Sequence, residues 1–240
     1  MTADEWEASD DALGMLWAVY RRRRDDPAVD RRIQRYYLAC CRGIWELLPQ
    51  EGSRHGVEVA ERCAGGKATT DEVAVACRGV VGAVNYFDDV APAAMAGWAR
   101  GVESLSPAAR AALVHTDEGR RLGGRELLRL AASFVRFVVS DRRVRHSWPS
   151  KDYAAFLSAP LLRCVFPNPL RPPTMNPGWR TADVVGLALG VDADGACDRL
   201  PLLADALMDA GCDDEHLLAH ARADGHVRGC WLVDLVLGRE

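Results

Sequence analysis

The densest group of side chains that could bind a metal ion lies near the end of the chain. Cys212, His216 and His220 are spaced four residues apart, and His226 and Cys230 follow them. Residues four apart on a helix lie on the same face, so His216 and His220 could share one cation. Thiolate and imidazole ligands suit a borderline-soft ion such as Zn²⁺. The spacing therefore makes Cys212, His216 and His220 the candidate zinc ligands.

The same segment also has a purely structural interpretation. Gly211 is expected to end one helix, so Cys212 need not align with the two histidines. Asp213 is expected to cap the next helix. In this interpretation Cys212 packs in the core, and the histidines lie on the surface or within the packing.

The sequence contains no common catalytic signature. It lacks GxGxxG, Walker A, HExxH, GxSxG and EF-hand patterns, and it has no zinc-type cysteine spacing. Cys230 has His226 and His220 nearby, but it follows an apolar helical pattern in which a buried thiol would be unreactive. No catalytic or cofactor-binding residue is predicted, and the sequence leans against an enzyme.

The composition is that of an ordinary globular protein. Of 240 residues, 49% are hydrophobic and 27% are charged, and the net charge of −4 does not favour a nucleic-acid-binding surface. Arginine clusters at 21–35 and 142–145 keep nucleic-acid binding open as an alternative.

No uncharged apolar run approaches the roughly 18 residues that a membrane span needs. The first residues are acidic, unlike an export signal. The eight cysteines form no CxxC pair. These observations predict a cytoplasmic protein with reduced thiols and no membrane partner.

Apolar residues recur at helical spacing along the chain, and no period-two alternation persists. Capping boxes are predicted at Thr2 and Thr69, and further N-caps at Ser53 and Thr181. Other expectations are local: a break or kink at Pro160 within a helix that begins after Ser150, a turn at 85–89, and close helix approach at Gly79 and Gly82. The fold class is therefore predicted to be all-α.

The predicted architecture is a multi-helix bundle at 1–148 and a C-terminal helical subdomain at 149–240, or a single domain made of both. A proline-rich segment, CVFPNPLRPPTMNPGW, begins at Cys164 and is predicted to be an ordered connector. Its apolar residues, Phe166, Leu170, Met175 and Trp179, are expected to pack on the core.

Several runs resemble a family of helical domains that is abundant in planctomycete-type bacteria. The C-terminal runs are PNPLRP, NPGW, DRLPLLADALMDAGCDD, LLAH and GHVRGCWLVDLVLG, and the N-terminal ones are MTADEW, YYLACCRGIWELL and SRHGVEVAERCAGG. The resemblance covers roughly 1–80 and 160–240. Members occur alone or fused to other modules, and the resemblance implies no established activity, cofactor or catalytic residue. His216 departs from the family pattern, which argues against a ligand role for it.

The leading functional hypothesis is a non-catalytic helical interaction or regulatory module with a protein partner. The missing signatures, the helical build and the resemblance to domains found in fusions favour it. The first alternative is a small metal-dependent enzyme that uses Cys212, His216 and His220. The second is nucleic-acid binding through the arginine clusters.

Overall fold

The computed structural model describes residues 1–22, 27–48, 50–89, 124–140 and 151–239. Eleven α-helices occur in these ranges, with no strand among them. The helices are α1 (Ala3–Ala8), α2 (Ala12–Arg22), α3 (Pro27–Gly43), α4 (Glu51–Ala64), α5 (Thr70–Asp89), α6 (Gly124–Ser140), α7 (Ala159–Val165), α8 (Ala182–Asp194), α9 (Leu200–Asp209), α10 (Glu215–Arg222) and α11 (Trp231–Leu237). The all-α prediction is confirmed.

Short 3₁₀ turns link some of these helices: Trp45–Leu47, Lys151–Phe156, Pro177–Trp179 and Cys197–Arg199. No described helix is both long and apolar enough to cross a bilayer. Ser150, after which a helix was predicted to begin, and the arginine cluster at 142–145 lie outside the described residues.

Three helix starts follow the predicted capping chemistry. The Thr2 hydroxyl accepts from the Glu5 amide, and the Glu5 carboxylate accepts from the Thr2 amide in return. The Thr69 box is built in the same way, and Thr181 accepts from the third residue of α8. These caps satisfy amides that a helix start leaves without a partner.

Three local predictions differ from the structure, two of them entirely and one in the position of a helix break. Helix α4 starts at Glu51 after an extended Gln50, and Ser53 is fully buried inside it. The segment expected to break or kink at Pro160 is broken just before it: Ser158 caps a new helix in which Pro160 occupies the first turn, where no amide donor is needed. Residues 85–89 continue α5 instead of turning.

The chain forms two compact units. One combines residues 1–36 with 158–239, and the other spans 37–157. The predicted division at 148 groups the first 36 residues with the middle of the chain, whereas the structure groups them with the C-terminal segment. Long-range contacts of this kind leave no local signal in the sequence.

The second unit is built around mutual packing of α4, α5 and α6. Aromatic rings from α3, α6 and the 3₁₀ turn Lys151–Phe156 contact one another within this unit. Tyr37 lies edge-on to both Phe134 and Phe137. Tyr153 lies against both phenylalanines. Ring packing of this kind adds stability beyond the area it buries.

The first unit contains the continuous apolar core of α8 to α11, together with Cys164. Within this unit the proline-rich connector runs from α7 to α8, and its Met175 and Trp179 pack against that core. The Trp179 indole donates to the Gly211 carbonyl at 3.1 Å. The Asn168 side chain donates to the Ala3 carbonyl at 3.0 Å, so the connector also holds α1.

Candidate metal centre

Four side chains of the first unit converge on one point. The ligand-type atoms of Cys164, His220, His226 and Cys230 all lie within 4.8 Å of one another. Among the residues that the structure describes, this is the one such group of three or more. Two thiols and two imidazoles are the ligand set of many tetrahedral zinc sites.

Two helices and the segment that links α10 to α11 bring these residues together. Cys164 lies in the last turn of α7, His220 lies in the last turn of α10, and Cys230 is the residue before α11. His226 lies in the loop between α10 and α11. A metal ion bound to all four side chains would therefore join α7 and α10 to the start of α11.

Three of the six distances between the ligand-type atoms lie in the range of the edges of a zinc tetrahedron, and all six are within 4.8 Å. Cys164 Sγ lies 3.4 Å from His226 Nδ1, and His220 Nε2 lies 3.3 Å from Cys230 Sγ. Cys230 Sγ lies 3.8 Å from His226 Nδ1. Zinc–ligand bonds of about 2.0–2.3 Å put neighbouring ligand atoms about 3.3–3.8 Å apart. The site is thus close to the size that a zinc ion requires.

The protonation states favour metal binding at one imidazole and one thiol. Burial, with a further contribution from His226, lowers the pKa of His220 to about 3, so its ring is neutral at physiological pH and offers a lone pair. Hydrogen bonding from Cys230, then from His226 and the Val227 amide, lowers the pKa of Cys164. Burial raises the pKa of Cys230. A metal ion must therefore displace the Cys230 proton, and its affinity should fall as the pH falls.

Neighbouring groups hold the cluster in place. The Val227 amide donates to Cys164 Sγ at 3.4 Å. The Trp231 ring packs on His220 with ring centroids 4.5 Å apart, and its indole donates to the Arg163 carbonyl at 3.0 Å. Contacts of this kind between neighbouring groups and the ligand side chains orient the ligands before the ion binds.

The cluster opens onto a cavity of about 470 Å³. Cys164, His220 and His226 line this cavity, and Trp6 and Arg171 lie on its wall. The two cysteines are buried and the two histidines are half-buried. An ion could therefore reach the cluster through the cavity.

Of the three predicted ligands, only His220 belongs to the cluster. Cys212 is 6% exposed and packs in the core of α8 to α11, as the structural interpretation expected. His216 is exposed, and its Nε2 lies 2.8 Å from a guanidinium nitrogen of Arg171. That permanent positive charge would repel a cation bound to His216.

The sequence prediction left out Cys164 and did not assign His226 and Cys230 as ligands. His226 and Cys230 are four apart, and this spacing is visible in the sequence. Cys164 is 62 residues before His226 and begins the proline-rich connector, so its pairing comes from tertiary packing alone. No local pattern could have identified it.

The cap of α10 is Asp214, not Asp213 as predicted. One carboxylate oxygen of Asp214 accepts from the His216 amide at 2.9 Å and from the Leu217 amide at 3.2 Å. Because the two acidic residues are adjacent, sequence alone does not say which has the extended backbone of a cap.

We expect Asp214→Ala to lower the free energy of unfolding by about 1 kcal/mol, the usual cost of a lost N-cap. Asp213→Ala is the matched control and should change it by less than about 0.5 kcal/mol, as surface substitutions do. Urea denaturation measures both. A larger loss in the Asp213 variant would contradict this assignment of the cap.

Comparison with known proteins identifies no family for the chain. No protein-family model, curated protein or solved structure matched the chain. The family resemblance drawn from the sequence stays a prediction, and the chemistry of the site rests on its own geometry.

Proposed function

We propose that the chain is a non-catalytic helical interaction module whose C-terminal helices are held together by a zinc ion. The ligands would be Cys164, His220, His226 and Cys230. The observation that carries the proposal is the convergence of these four side chains within 4.8 Å, with Cys164 joining three residues that follow it by more than 50 positions.

Zinc is the metal that this ligand set favours. Thiolates and imidazoles suit zinc far better than the hard ions Mg²⁺ and Ca²⁺, which prefer oxygen ligands. Zinc also accepts a tetrahedral arrangement without cost, since its filled d shell imposes no geometry.

Four protein ligands favour a structural role over a catalytic one. A structural zinc ion has all four positions filled by side chains, whereas catalytic zinc keeps one position for water or substrate. With both cysteines and both histidines bound, the tetrahedron is complete.

A protein partner remains part of the proposal. Leu189 on α8 and Leu202 and Met208 on α9 are 42–54% exposed, although α8 and α9 pack on each other. Apolar side chains at such positions are available to a partner. Eight free cysteines are typical of a reducing compartment, so we propose a cytoplasmic location.

The test is the metal content of the full chain, purified without tag or chelator and measured by inductively coupled plasma mass spectrometry. We expect about one zinc per chain, lost in His220→Ala and in Cys230→Ser. Replacing zinc with Co²⁺ should give the absorption spectrum of tetrahedral cobalt bound to thiolates.

Cys212→Ser and His216→Ala are the matched controls, because they remove the same kinds of side chain outside the cluster. Both should retain the metal. Absence of metal from a folded chain, even after dialysis against zinc, would end the proposal. So would equal loss in the controls and in the cluster variants.

One observation favours a second candidate, a metal-dependent enzyme. Three of the four ligands line the 470 Å³ cavity, so a substrate could approach the ion from that side. If one ligand gives way, small anions such as cyanide should alter the cobalt spectrum. An unchanged spectrum at saturating cyanide would exclude an open coordination position.

A further inference from the structure

The two cysteines of the cluster are close enough to be oxidised as a pair. The Sγ atoms of Cys164 and Cys230 lie within 4.8 Å of each other. A disulfide holds its sulfur atoms about 2 Å apart, so the two must approach by less than about 3 Å. A change of side-chain rotamer at χ1 moves a cysteine sulfur by about 3 Å. Closing the bond therefore needs only local movement of the two side chains.

The two sulfur atoms differ in how a small molecule can reach them. Cys164 lines the cavity of about 470 Å³, whereas Cys230 is not among the lining residues and is 1% exposed. The cavity has ample room for a small hydroperoxide, since a water molecule needs only about 15 Å³. An oxidant in the cavity therefore meets Cys164 first, with Cys230 behind it. An accessible cysteine next to a second, resolving cysteine is the usual arrangement of a redox-responsive pair.

We propose that a hydroperoxide converts the cluster into a Cys164–Cys230 disulfide and thereby releases the zinc ion. The inference rests on the proposed function in one respect, namely that zinc occupies the cluster. Both sulfur atoms are then thiolates, because the thiolate is the form of cysteine that binds a metal. The thiolate is also the form that attacks a peroxide, so the zinc-bound cluster is the starting state of the reaction.

The reaction takes two steps. In the first, the Cys164 thiolate attacks the terminal oxygen of the hydroperoxide; an S–O bond forms, the O–O bond breaks, and the departing oxygen takes a proton from solvent and leaves as water or an alcohol. In the second, the Cys230 thiolate attacks the sulfur of the Cys164 sulfenic acid. The S–S bond forms, the S–O bond breaks, and the hydroxide that leaves is protonated to water. Two electrons pass from the pair of sulfur atoms to the peroxide.

Oxidation removes two of the four ligands. Disulfide sulfur carries no charge, and the two histidines alone do not complete a tetrahedral zinc site. The disulfide still joins α7 to the start of α11, because Cys164 lies in α7 and Cys230 precedes α11. Helix α10 carries His220 and loses its metal bond, although it still packs on α9. Oxidation should therefore loosen α10 selectively.

The test uses the full chain, loaded with zinc and then treated with a small excess of hydrogen peroxide. A chromogenic chelator measures the zinc released, and mass spectrometry of a protease digest identifies the disulfide. We expect release of about one zinc per chain together with a Cys164–Cys230 disulfide. Dithiothreitol followed by fresh zinc should restore the original state. Hydrogen exchange should show lower protection of α10 in the oxidised chain than in the zinc-loaded one.

Two variants test the roles of the individual thiols. Cys230→Ser removes the second thiol, so oxidation of the zinc-free variant should stop at a Cys164 sulfenic acid, which dimedone labels. Cys197→Ser is the matched control, because Cys197 packs against the same core but lies outside the cluster. It should release zinc and form the disulfide like the original chain.

The zinc content before peroxide is added separates this inference from the proposed function. A chain that takes up no zinc contradicts the proposed function and the release together. A chain that takes up zinc and retains it under peroxide overturns the inference alone and leaves the structural zinc ion in place. Loss of zinc without a Cys164–Cys230 disulfide, or a disulfide between Cys164 and Cys197, would overturn it as well.

Discussion

Removing zinc with a chelator such as phenanthroline is expected to lower the thermal unfolding temperature of the full chain by about 8–16 °C. A site filled at about 1,000 times its Kd stabilises the folded state by about 4 kcal/mol. In a chain of this size, each 1 kcal/mol moves Tm by about 2–4 °C. The core of α8 to α11 is substantial on its own, so the unit should weaken without unfolding completely.

Circular dichroism and hydrogen exchange measure this result together. Chelation should reduce amide protection in α10, which carries His220, and in the first turn of α11, which follows Cys230, and leave protection in α4 and α5 unchanged. The Cys212→Ser variant should respond like the original chain, and Cys230→Ser should not respond. If the unfolding temperature and the exchange pattern stay unchanged on chelation of a zinc-loaded sample, the ion has no structural role.

The second large effect concerns the contact between α4 and α5. A Cβ on Gly52 would lie 2.6 Å from the carbonyl oxygen of Gly79 and 3.0 Å from its carbonyl carbon. Both atoms belong to the backbone, so neither can move aside cheaply. Gly52→Ala should therefore force the helices apart and lower the free energy of unfolding by about 2 kcal/mol, as overpacking does.

Gly79→Ala is the matched control, because it adds the same methyl group to the other side of the contact. Its Cβ would lie 3.5 Å from the nearest atom, the Cα of Gly52, which is an ordinary contact. Since alanine is the better helix former, this variant should be neutral or more stable by up to about 1 kcal/mol. Equal destabilisation of the two variants in urea would contradict the asymmetry.

Close helix approach at Gly79 was predictable from the sequence, whereas its partner was not. Small residues at helical spacing indicate where another backbone can come near, and Gly79 does meet Gly52. Gly82 has nothing within 4 Å of an added Cβ, so the same pattern overstated the contact there. The pattern indicates which side of a helix another backbone can approach, but it does not indicate which helix lies opposite.

The helix starts and the candidate site show the same limit. Thr2, Thr69 and Thr181 cap helices within three residues of themselves, so their roles follow from local chemistry. The cluster depends on Cys164 meeting a loop 62 residues later, which only the folded core decides. The i and i+4 spacing therefore identified His220 as a candidate ligand but grouped it with Cys212 and His216, which lie outside the cluster.

The discontinuous first unit has a consequence for synthesis on the ribosome. Helices α1 and α2 emerge first, yet the segments they pack with begin at 158, after the roughly 120 residues of the other unit. At about 5–20 residues per second, that delay lasts about 6–24 s. Trp6 and Leu16 are fully buried in the folded protein. During this delay their side chains are exposed to water. Residues 37–157 can meanwhile complete their own contacts, so the nascent chain is expected to fold from its middle outward.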